Sequence, residues 1–139
     1  MTQTPAADGP AADGPYLAGV GLSRAAHLAA CVALAAVVVT TDQVVEPVTA
    51  ILVVLITASA IAGFLRPDGI VAAGLVIGLA IPATHLASVV LGFELPQPSE
   101  PPGAIGALSL VFLVVPALIA AVMGGYARRT LEEERRRPR

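Results

Sequence analysis

The residues best suited to chemistry in this sequence are two histidines and one cysteine, each set in an apolar run. His85 lies in the stretch PATHLAS, with Thr84 beside it and Ser88 one turn on, and Ser109 in a later run falls at a similar depth if both runs are helices. An imidazole among hydroxyls in an apolar medium can accept a proton or hold a ligand. His85, Ser109, Thr84 and Ser88 therefore form the candidate polar or transport site. The plainer reading is a neutral histidine hydrogen-bonded to one of these hydroxyls, or to a carbonyl freed by Pro82.

His27 stands one turn into the first apolar run. Its axial offset from His85 is on the order of 20 Å by helix rise, too far for both to ligate one haem iron. No carboxylate is expected beside either histidine, so no metal site is expected. Cys31 is the single cysteine, which excludes an intrachain disulfide and makes it a small hydrophobe. No Ser/His/Asp arrangement, phosphate-cradling glycine loop or cysteine cluster occurs. Neither enzyme activity nor a cofactor is expected.

The elements that position these residues follow from composition. Of 139 residues 56% are hydrophobic and only 13% charged, about half the charge of an ordinary soluble domain. Between Arg24 and Arg128 the only charges are Asp42, Glu46, Arg66, Asp68, Glu94 and Glu100. The runs between them approach the ~20 residues that a helix needs to cross a bilayer. Unpaired backbone groups are costly in lipid, and no strand-like alternation is present, so the runs are read as helices. The expected fold is all-α integral membrane, a bundle of four transmembrane helices over about 24–41, 47–65, 69–93 and 104–126.

Flanking segments are polar. Residues 1–22 carry the tandem repeat PAADG and read as a disordered tail. Glu94–Gly103 holds Pro96, Pro98, Pro101 and Pro102 and reads as a stiff, extended connection. Residues 128–139 read as a charged helical tail suited to anionic head groups.

Arginine placement sets the orientation. Arg24, Arg66 and the group from Arg128 onward lie at alternate turns, while the other turns carry only acids. The excess of basic residues on cytoplasmic loops then puts both termini inside. A formal charge of −2 and the lack of a basic patch with interleaved aromatics argue against nucleic acid.

Gly74 and Gly78 in the third run, and Ala120 and Gly124 in the fourth, are small residues at helix-packing spacing. They predict close approach of the third helix to the fourth or to a second copy. Pro82 and Pro116 should each kink a helix. The whole reads as a non-enzymatic accessory or structural protein of the plasma membrane. Its expected partners are the bilayer and either further copies of itself or a larger membrane complex. The alternative is a subunit of a small oligomeric transporter or channel with its polar site near His85.

Overall fold

The computed structural model describes residues 22–97 and 103–137. Both copies of the PAADG repeat and residues 98–102 of the proline-rich connection lie outside the described residues. Within them the chain is all helical, with no strand, and makes four passes. Each pass is long and apolar enough to cross a membrane: Arg24–Val44, Val48–Leu65, Pro67–Leu91 and Ala104–Arg136.

The first pass is α1 (Arg24–Val44), opened by Ser23, whose hydroxyl accepts from the Ala26 N–H at 3.1 Å. It continues beyond the expected end near Thr41, so Asp42 and Gln43 are helical rather than loop residues. Nothing before Pro47 halts it. The Thr40 and Thr41 hydroxyls bond back to the Ala36 and Val37 carbonyls at 2.8 and 2.9 Å. Pro47 then disfavours helical backbone at Glu46, and α2 (Val48–Leu65) begins after a three-residue connection.

The third pass opens with a 3-10 turn, Pro67–Gly69, and is divided into α3 (Ile70–Gly78) and α4 (Ala80–Leu91). The fourth comprises α5 (Ala104–Ser109), a 3-10 turn at Leu110–Leu113, and α6 (Val114–Arg136). Both interruptions sit about one turn before a proline. Pro82 has no N–H for the Gly78 carbonyl and Pro116 none for that of Phe112, so the ladder must deform there. Around Leu79 it resumes at once, with Leu79 N–H on Leu75 O and Ala83 N–H on Leu79 O, both at 2.9 Å. At its far end α4 stops at Gly92, in the left-handed region at φ 72°, which glycine tolerates without strain.

The centre of the bundle is the crossing of α2 and α6, where the backbones touch. A Cβ at Gly63 would run into the Ala121 carbonyl, and one at Gly124 into the Ala60 carbonyl. On the next face of α6, Gly74 meets Leu118, and Gly78 meets Val114 Cα and Ala117 Cβ at 2.8 and 3.0 Å from a built Cβ. The third pass thus packs on the fourth, as its glycine spacing predicts. Ala120 and Gly124 are also buried, but Gly124 turns to α2 and not to α3. Since α6 occupies the Gly74/Gly78 face, that face is not free for a second copy. The remaining core is aliphatic and small: Cys31 and Val38 from α1, Leu55 and Ala62 from α2, Ala73 and Ile77 from α3.

These contacts leave no room for larger side chains. Gly63→Val or Gly124→Val should lower unfolding stability in detergent by about 2 kcal/mol, a usual cost of overpacking. Gly103→Ala, in open space, should cost less, through its positive φ alone. Equal melting temperatures for wild type and Gly124→Val would contradict the crossing.

Candidate functional site

α1 presents one buried stripe, His27, Cys31, Ala35 and Val38. Spacings of four, four and three residues keep one helix face inward, and the next position on that face is Asp42. Extension of α1 to Val44 therefore carries a carboxylate into the bundle. There Asp42 Oδ2 lies 2.9 Å from His85 Nε2, with the side chains 15% and 5% exposed. This corrects the expectation that no carboxylate joins either histidine. Its cause is the extra turn of helix.

The pair belongs to a chain of hydrogen bonds. The Gln43 amide nitrogen donates to the same Asp42 Oδ2 at 2.7 Å, and Gln43 Oε1 accepts from the Gln97 backbone N–H at 3.4 Å. Oδ2 is thus an acceptor, and His85 Nε2 is the donor facing it. The network ties the end of α1 to α4 and to the segment that follows α4. The part-buried Asp42 carboxyl is thus hydrogen-bonded from two sides, which offsets the cost of drawing it out of water.

The other candidate residues do not join it. The Thr84 hydroxyl donates to Ala80 O at 2.9 Å, Ser88 to His85 O at 2.8 Å, and Ser109 to Gly106 O at 2.6 Å. All three bonds stay within their own helices, the common habit of such residues in apolar helices. Ser109 is exposed on α5. The structure thus brings His85 together with Asp42 and Gln43, and leaves Ser109, Thr84 and Ser88 as back-bonded side chains.

His27 serves the opposite end of the bundle, 15 residues and about 22 Å along α1 from Asp42. Its Nε2 donates to Ala62 O at 3.0 Å, and Cys31 Sγ lies 3.7 Å from the same nitrogen. Gly69 seats the ring, because a Cβ there would come within 2.8 Å of Nδ1. Ala62 is one of the last four residues of α2, whose carbonyls have no helical partner. Arg128 of α6 serves two more of them: its guanidinium donates to Phe64 O at 3.2 Å and to Leu65 O. The end of α2 is therefore closed by side chains from α1 and α6. The sequence reading missed this use of His27 and Arg128. The cue was Pro67, which ends α2 abruptly and orphans its carbonyls.

Among the described residues, no group of three or more His, Cys, Asp or Glu side chains is placed to hold a metal. Ser59 Oγ is a buried side-chain oxygen without a partner. Chemically, the arrangement offers one enclosed imidazole–carboxylate pair at the Asp42 end and a capped, arginine-rich end opposite. Fold and site together define an all-helical bundle of four apolar passes in which a buried His85 meets a part-buried Asp42. No known protein family, curated protein or solved structure matches the chain.

His85→Ala should cost about 2 kcal/mol by taking from the part-buried Asp42 one of its two hydrogen-bond donors. Thr84→Val, Ser88→Ala and Ser109→Ala should each cost under about 0.5 kcal/mol. A double-mutant cycle with Asp42→Asn reads the coupling directly; zero coupling would remove the pair from the account.

Proposed function

We propose that the chain is a plasma-membrane protein threaded four times with both ends in the cytoplasm, acting as a non-enzymatic structural or accessory subunit. Support for the threading is the alternation of ends. Arg24, Arg66, Arg128 and Arg129 gather at one end of the bundle, and Asp42, Glu46 and Glu94 at the other.

The observation that carries the accessory role is that both buried histidines are spent on contacts inside the bundle. His27 and His85 are each 4% exposed, one on a helix-end carbonyl and one on Asp42. A substrate path needs polar groups left facing it. Assembly with further copies or with other membrane proteins is supported by the exposed edge of α1. There Ala26, Ala29, Ala33, Ala36 and Thr40 alternate at three and four residues, a spacing that lets helices approach closely.

The His85–Asp42 pair favours one second reading, a subunit of an oligomeric transporter or channel. Buried ionisable pairs line ion and proton paths in such proteins.

Four measurements separate these readings. Glu46→Cys and Gln97→Cys should react with impermeant maleimide in intact cells, and Arg137→Cys only after lysis; the reverse pattern would overturn the threading. Cys31, fully buried, should resist charged thiol reagents in native membranes. Extraction in mild detergent should yield a complex well above the 14.0 kDa chain. A solute or proton flux into proteoliposomes that is lost in His85→Ala would favour the transporter instead.

A further inference from the structure

We propose that the pocket between the α2–α3 turn and the charged part of α6 binds the phosphate of an anionic phospholipid headgroup; the inference rests on the membrane threading proposed above. The pocket has a volume of about 370 Å³, within the size range of small-ligand sites. Arg66, Arg128 and Arg129 line it together with Asp68 and Glu132, one positive charge in excess.

Two of the three arginines are already committed. Arg128 Nε donates to Glu132 at 2.8 Å while its Nη1 caps α2. Arg129 lies 3.9 Å from Asp68 and donates to Pro67 O at 3.4 Å. Arg66, half-buried at an extended position between α2 and the 3-10 turn, makes no side-chain hydrogen bond or ion pair among the described residues. It supplies the unmatched charge. A guanidinium fork fits two oxygens of a phosphate, and this one is free to do so.

The source of the phosphate follows from what else lines the pocket. Leu22 and Leu65 form its apolar edge, and Leu65 is the last residue of the apolar helix α2. On the proposed threading this edge lies where hydrocarbon gives way to head groups on the cytoplasmic side, the leaflet that carries anionic lipid. A phospholipid fills both parts, phosphate on Arg66 and glycerol end on the leucines. Free phosphate would leave the apolar edge unused.

The test is lipid retention by the full-length protein, purified in detergent, mixed with phosphatidylglycerol or phosphatidylcholine and read by native mass spectrometry. Phosphatidylglycerol should be retained about tenfold better, as expected for a charge-assisted contact. Arg66→Gln should lower that retention about tenfold, and Arg66→Lys, which keeps the charge but loses the fork, about threefold. Arg136→Gln, an equal loss of charge on the exposed tail, should change it less than about twofold. Inorganic phosphate should not displace the lipid. Equal retention of the two lipids, equal effects of Arg66→Gln and Arg136→Gln, or displacement by inorganic phosphate would overturn the site. Maleimide labelling of Glu46→Cys and Arg137→Cys in intact and lysed cells reads the threading separately. Melting temperature checks that each variant is folded, and Arg66→Lys carries the comparison if Arg66→Gln is not.

Discussion

Everything in the bundle is arranged around the approach of two backbones, α2 and α6. Water drives helices together by expelling apolar surface, but hydrocarbon supplies no such drive. In the proposed setting cohesion comes from dispersion contacts over close distances, and these require small residues. Gly63 against Ala121 and Gly124 against Ala60 place main chain on main chain. The third pass then lies on the adjoining face of α6 through Gly74 and Gly78. α1 joins last, on α2 and the third pass, with its outer edge uncovered.

The same constraint explains where the polar groups are. An apolar interior makes unpaired carbonyls and charges expensive, so each end of the bundle is closed by long-range side-chain bonds. At the arginine end His27 and Arg128 take up carbonyls that Pro67 orphaned. At the Asp42 end His85, Asp42 and Gln43 satisfy one another and hold α1 to α4. Between the ends the described core is almost wholly Ala, Gly and aliphatic side chain. The backbones approach most closely where α2 meets α6. α5 packs mainly on α4.

The four apolar passes were legible in the sequence, because hydropathy and charge spacing are local signals, whereas the Gly74/Gly78 pair pointed to close packing of the third helix and left its partner open. Both helix interruptions were legible too, from Pro82 and Pro116. The polar site was only half legible. His85 stood out, yet its partner was hidden by placing the end of α1 at Thr41, one residue before Asp42. The stripe His27, Cys31, Ala35, Val38 pointed inward to Asp42 all along. Ser109 was grouped with His85 on depth alone, and depth along two helices says nothing of which faces meet. The small residues of α2, Ala60 and Gly63, drew no notice because they follow no simple glycine motif. Their partners on α6 are visible only in three dimensions.

The central claim is a closed bundle organised on the α2–α6 crossing. Hydrogen–deuterium exchange of the full-length protein in lipid nanodiscs tests it most directly, since amide protection reports both water access and local stability. The slowest exchange in the molecule should fall on residues 58–63 and 117–125, with α5 the quickest of the helices. Rapid exchange across 58–63, the signature of a water-lined helix, would contradict the account.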